Sequence, residues 1–388
     1  MIKKVFSKTG FFTLLGVTGV CLLASFIDQP TENEELAKLR AAYSSGNYQN
    51  WPKPNIDPSI VKGFQDIGVL PDVMHPADNP TNPDKVQLGK MLFYDPRLSS
   101  SGQIACASCH DPQLGWGDGK RLAFGHDRKL GKRNAMTLWN VAFYKTLFWD
   151  GRANSLEDQA KFPIKDHLEM NESLSNMEAK VKSYKGYEPL FQKAFGKPDI
   201  NKEQILKAIA CFERTIVSPK SRFDLFVSGK KEAITDVELK GLHLYRTKAG
   251  CINCHNSPLF SDNQFHNDGQ TLWGSKNEDL GLYHVTGNKA DVGKFKTPSL
   301  REVTQTGPWF HHGNFPTLKD VIFFYNLGNP APIQNKYEGT ARDSILPQNS
   351  PLLKKLNLTD GEIDALLAFL NTITTTPRRI QPPTEFPN

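Results

Sequence analysis

The pentapeptide Cys-x-x-Cys-His occurs twice, as Cys106-Ala-Ser-Cys109-His110 and as Cys251-Ile-Asn-Cys254-His255. Its spacing is that of covalent c-type haem attachment. Two thiols add to the haem vinyl groups, and the adjacent histidine becomes the proximal iron ligand. The alternatives are a Cys/His zinc site or a pair of redox dithiols. Zinc sites usually reuse histidine at wider offsets, and a dithiol has no need of the final histidine. Two copies that both end in His therefore point to two covalent haems, one on Cys106, Cys109 and His110, the other on Cys251, Cys254 and His255.

Haem takes four of the six cysteines. Cys21 and Cys211 remain, so no disulfide framework is left. Cys211 sits in an apolar helical pattern and reads as an inert core thiol. The chain has 388 residues, enough for two domains of ordinary size. Its 38% hydrophobic and 23% charged residues are those of a globular protein. The net charge of +6 is spread along the chain without a Lys/Arg block, which argues against a nucleic-acid partner.

Lys3, Lys4 and Lys8 precede an uncharged, mostly apolar run from Phe11 to Ile27. That pattern is an export signal or an N-terminal membrane anchor over residues 1–28. It places the protein in the periplasm, with a tether as an option. Residues 29–60 hold a short helical pattern and then Trp51-Pro52-Lys53-Pro54, a proline-rich linker or surface wrap.

The remainder reads as an internal duplication. A helical segment with a central glycine precedes each haem motif: Val86 to Tyr94 around Gly89, and Glu238 to Tyr245 around Gly241. A closing helix follows each, Ile205 to Val217 and Ile363 to Ile373, sharing Phe-x-x-Thr-Ile. Thr359-Asp360-Gly361-Glu362 supplies the second closing helix with a capping box. Strand-like alternation is scarce. The expected fold is mainly α, with two cytochrome c-like domains over 61–225 and 226–388 and a closing helix at 360–374.

From Leu88 onward the chain resembles the bacterial di-haem cytochrome c peroxidases, including their MauG-like branch. The resemblance rests on Leu88-Gly89-Lys90-x-Leu92-Phe93-x-Asp95-Pro96-Arg97-Leu98-Ser99, on Phe148-Trp149-Asp150-Gly151-Arg152-Ala153 and on Phe310-His311-His312-Gly313. It implies two haems facing each other across a shared interface. The first carries peroxide chemistry and the second relays electrons from a small donor, a monohaem cytochrome c or a cupredoxin. It also implies the site residues. Glu169 stands where the family keeps its acid/base, Gln159 at the distal glutamine, and Pro163 at a proline packing over the iron. Trp149 matches the indole between the haems. His126 matches the removable sixth ligand of the first iron. Asn134, Thr306 and Pro308 match an interdomain calcium site, whose oxygen donors suit a hard cation. Arg301 matches a haem-propionate partner.

One position departs from the common pattern. Most of the family ligates the second iron with a methionine fourteen residues after the position of His311; here that residue is Tyr325, and no methionine follows Met177. Tyrosine resembles the MauG-like branch, and a phenolate favours oxidised over ferrous iron. The expected activity is reduction of hydrogen peroxide. The rivals are a MauG-like oxidase acting on a partner protein and a non-enzymatic electron carrier or haem sensor. Family members are often homodimers.

Overall fold

The computed structural model describes residues 31–328, 335–376 and 380–388. The expected leader over 1–28, with Cys21, lies outside them. Among the described residues no helix is long and apolar enough to cross a membrane. The helices are α1 Glu32–Tyr43, α2 Pro83–Tyr94, α3 Leu156–Gln159, α4 Lys161–Lys165, α5 Leu174–Ser183, α6 Glu188–Phe195, α7 Lys202–Glu213, α8 Arg222–Val227, α9 Asp236–Arg246, α10 Tyr283–Thr286, α11 Leu318–Leu327 and α12 Asp360–Thr372. Two short strands, β1 Phe265–His266 and β2 Phe295–Lys296, pair antiparallel. The fold is mainly helical, as the sequence implies.

The duplication is visible as one helix crossing built twice. In the first half α2 packs on α7, and in the second α9 packs on α12. A Cβ at Gly89 would sit 1.9 Å from the Ala208 carbonyl oxygen, and one at Gly241 would sit 1.9 Å from that of Ala365. Each crossing thus brings backbone to backbone, and a methyl group at either glycine would force the helices apart. Side-chain caps fix where these helices start. Asn82 accepts from the Lys85 amide ahead of α2, and Thr235 and Thr359 form capping boxes with Glu238 and Glu362.

Two apolar cores result. Leu88, Leu92 and Phe93 meet Ile205, Ile209 and Phe212 in the first; Leu239, Leu242 and Tyr245 meet Ile363, Leu366 and Phe369 in the second. Cys211 is buried on α7, as expected of a core thiol.

The termini of the described chain cross over. Tyr43, Trp51 and Ile67 belong to the second core, and Arg246 of α9 bonds Tyr43 Oη, the Pro52 carbonyl and Asp66. The segment expected as a linker is therefore part of the second half's packing. Residues 386–388 lie instead on the first half, where Pro387 accepts from Arg97 at 2.9 Å. Both edges expected for the first domain are displaced. Ile67 falls in the second core, and the 225/226 division cuts α8, whose Phe223, Phe226 and Val227 are buried there too.

Candidate functional site: two haem cradles and the cavity between the halves

The two Cys-x-x-Cys-His segments adopt the same local structure. Each opens on a single 3-10 turn, Cys106–Ser108 and Cys251–Asn253. The histidine amide then bonds back to the first cysteine carbonyl, at 3.1 Å for His110 and 2.9 Å for His255. His110 Nδ1 donates to the Trp116 carbonyl at 3.1 Å, and His255 Nδ1 donates to that of Phe260 at 3.2 Å. That bond fixes the tautomer and leaves each Nε2 lone pair free for iron. Burial lowers both imidazole pKa values, so both rings are neutral and able to ligate. All four thiols are unpaired, and burial holds Cys109 and Cys251 up at about 12. The donor set and its tautomers fit a haem at each motif.

Cys106, Cys109 and His110 line a cavity of about 910 Å³. The same cavity is lined by Trp149, Gln159, Pro163 and Glu169, so the structure gathers the distal residues expected from the sequence. Glu169 sits in the loop after α4, its amide donating to the Asp166 carbonyl at 3.0 Å. Its carboxyl is pushed up to about 7, mainly by burial and further by Asp166, while Arg152 opposes the rise. Glu169 and Arg152 also line a second recess of about 270 Å³ together with Lys165, Asp166 and His167.

Trp149 is held from both halves. Its indole Nε1 donates to the Asn134 carbonyl at 3.0 Å, and its own carbonyl accepts from the Lys296 amide at 2.8 Å. His311 packs edge-on against the indole with centroids 6.3 Å apart and stacks on Phe295 at 3.5 Å.

Three expected residues lie elsewhere. His126 occupies a tight loop, with Nδ1 3.3 Å from Ser100 Oγ and Nε2 3.4 Å from Asp127. Gly125 lines the cavity, but the ring of His126 is turned to these outer partners. Tyr325, on α11, lies by the second motif, where burial first and then Asp268, Cys254 and Cys251 raise its phenol pKa. Arg301 is 1% exposed, and four of its five N–H donors are taken, two by Asp224 and one each by the Pro258 and Gly68 carbonyls. That leaves a single N–H for a propionate, so its main work is to lock α8 onto the second core.

Asn134 joins the halves by donating its amide to the His311 carbonyl at 2.7 Å. Its Nδ2 donates to the Lys120 carbonyl at 2.8 Å. Among the described residues, Asn134 Oδ1 and the carbonyls of Thr306 and Pro308 accept no hydrogen bond. Those oxygens have the chemistry a hard cation takes.

Sequence reasoning missed two buried ionisable groups on this cavity. Glu213, at the end of α7, has an Oε2 without a partner and is pushed up to about 8 by burial. Its neighbour Arg214 is committed to Glu157 through two bonds of 2.8 and 2.9 Å. Lys296 is 2% exposed. In the sequence both looked like ordinary charged residues.

The Di-haem cytochrome c peroxidase family matches over residues 83–232. Cytochrome-c peroxidase IdrP1 of Denitromonas iodatirespirans is 39% identical, over 81% of this chain and 87% of its own. Methylamine utilization protein MauG of Methylorubrum extorquens is 38% identical, over 80% and 84%. A solved MauG-like protein associated with microbial copper homeostasis superposes with a TM-score of 0.69 at 33% identity, covering 78% of this chain and 93% of its own. With both haem cradles intact and relatives of this length and identity, the chain belongs to the di-haem cytochrome c peroxidase family.

Proposed function

We propose that the protein reduces hydrogen peroxide to water at the first cavity, taking up two electrons and two protons for each peroxide. A haem bound there through Cys106, Cys109 and His110 supplies the redox equivalents and the iron position at which the O–O bond breaks. The observation that carries this reading is Glu169: a carboxyl held near pH 7 on the wall shared with His110. A group poised near neutrality serves as base and as acid in turn. Glu169 takes a proton from one peroxide oxygen and returns it to the other as that oxygen leaves as water. Gln159 offers a hydrogen bond to orient the peroxide, and Pro163 packs over the site.

Cys251, Cys254 and His255 would hold the second haem, which would supply the entry point for electrons from a small periplasmic donor, a monohaem cytochrome c or a cupredoxin. Trp149, bonded to both halves, stands on the route between them. Tyr325, close to Cys251 and Cys254, would serve as a ligand of the second iron. His126, whose ring lies beside Ser100 and Asp127, would serve as a removable ligand of the first iron. Asn134, Thr306 and Pro308 hold a calcium ion that ties this loop region to the second half. The test is Glu169→Gln: peroxide turnover with a reduced cytochrome c falls by about 10²–10⁴-fold while both haem spectra persist. Turnover within twofold of the parent removes Glu169 from the mechanism.

A second reading is favoured by one residue. Tyr325 in place of methionine supports a MauG-like oxidase that modifies a partner protein. His126, at the position of a removable iron ligand, argues against it. Donor-dependent steady-state turnover separates them, because the oxidase reading predicts little of it.

A further inference from the structure

Lys296 is a buried cation on the first cavity that makes no ion pair among the described residues. It is 2% exposed, lies on β2 and lines the cavity. Its ammonium makes a single hydrogen bond, to Thr146 Oγ1 at 3.3 Å, and no ion pair within reach. The rings of Tyr144 and Phe265 stand 4.6 and 5.6 Å from it. The carboxylate it feels most, Asp262, is bonded to His266 at 2.7 Å, and Lys145 repels it. One hydroxyl and two ring faces do not replace the hydration shell of an ammonium. A buried cation of this kind calls for an anion that the protein itself does not provide.

A haem in this cavity would carry carboxylates, and Arg301, expected as a propionate partner, does not line the cavity and is engaged by Asp224. We propose that Lys296 is the counter-ion of a haem carboxylate in the first cavity, a charge lent to the first haem by the second half of the chain. The inference rests on the two-haem reading above. Its position gives it a further consequence. The Lys296 amide is bonded to the Trp149 carbonyl, so this cation and the indole between the halves are joined by one backbone hydrogen bond. A cation beside the haem stabilises the added electron on reduction, so removing it makes the first haem harder to reduce.

The experiment is a spectroelectrochemical titration of the full-length holoprotein, with the two haems resolved by their EPR signals. Wild type is compared with Lys296→Met, which keeps length and loses charge, and with Lys296→Arg, which keeps charge. A pyridine haemochrome assay of the wild type is run first, and a single haem per chain there overturns the functional reading as a whole. With two haems bound, Lys296→Met is expected to shift the first haem's Fe(III)/Fe(II) equilibrium toward Fe(III) by about tenfold, about 59 mV for one electron. Lys296→Arg and the second haem are expected to stay within about threefold of wild type. Should Lys296→Met not accumulate with both haems, Lys296→Gln is titrated in its place against the same thresholds. A first-haem shift below about threefold, or an equal shift of both haems, overturns the proposal and leaves Lys296 as a packing partner of Tyr144.

Discussion

The backbone amide of His126 donates to the carbonyl of Glu169 at 2.8 Å. The residue that reads as a removable iron ligand is thus also, through its main chain, a support for the acid/base. Gly125 makes the approach possible. A Cβ there would lie 2.0 Å from the Leu168 oxygen and 2.6 Å from Glu169 Cα. Those are backbone atoms, so the loop carrying Glu169 has to move if the glycine is replaced. Gly125→Ala is expected to lower kcat/KM for peroxide by up to about 10²-fold through misplacement of Glu169, with both haems retained. His126→Gly keeps the amide and should keep the carboxyl in place. Equal kcat/KM for Gly125→Ala and the parent would show that the support is dispensable.

The pH dependence follows from the environment of Glu169. Its base form starts the reaction, so kcat/KM should rise with pH through about 7, where burial and Asp166 have put its pKa. Asp166→Asn removes the neighbouring negative charge and moves that limb to lower pH. Replacing Arg152 by Met removes the opposing cation and moves it higher. The stability sign is separate. The unfolded carboxyl releases its proton near 4.5 and the native one near 7, so between these values the native state binds more protons. The contribution of this group to stability therefore falls as pH rises through that window. A pH–rate profile of Glu169→Gln that keeps the limb at 7 would assign it to another group.

Arg301 and Asp224 are 1% and 3% exposed and share two bonds of 3.0 and 2.9 Å. Breaking such a pair strands a charge inside the second core, which typically costs about 3–5 kcal/mol. Arg301→Met should lower the unfolding midpoint sharply while the potentials of whatever haems remain bound stay put. That outcome contrasts with the one expected at Lys296. A shifted potential without loss of stability would return Arg301 to the role of propionate partner.

How much of this was legible in the sequence depends on the range of the interaction. The haem motifs, the cap at Thr359 and the paired helices are written in neighbouring residues, and they appear where the spacing puts them. Gly89 and Gly241 were recognisable as a repeated feature, though not as the contact points with Ala208 and Ala365. What local pattern does not carry is the long-range partner. Arg301 meets Asp224 and Gly68, and Tyr43 meets Arg246, across separations that periodicity does not report. The crossing of the terminal segments was invisible for the same reason. Lys296 and Glu213 were hidden differently: a charged residue next to apolar neighbours looks like a surface position until the fold buries it.

Tyr325 stands by the second haem motif, where burial first and then Asp268, Cys254 and Cys251 raise its phenol pKa, so without iron it keeps its proton. A ferric centre reverses that balance, because a nearby cation favours the phenolate. If Tyr325 is the ligand, Tyr325→Met should raise the second haem's potential and give a His/Met spectrum, since a neutral thioether replaces an anion. Tyr325→Phe should leave an open or water-ligated iron, with a change in spin state. Donor-driven peroxide turnover should rise in the Met variant, because the second haem then accepts electrons more readily. Phe323 and Leu327, exposed on the same helix, serve as controls that leave the spectra alone. Electronic and EPR spectra of the three proteins decide the matter. An unchanged second-haem spectrum in both Tyr325 variants would mean that the phenol only packs there, and that the sixth position is filled from another part of the chain.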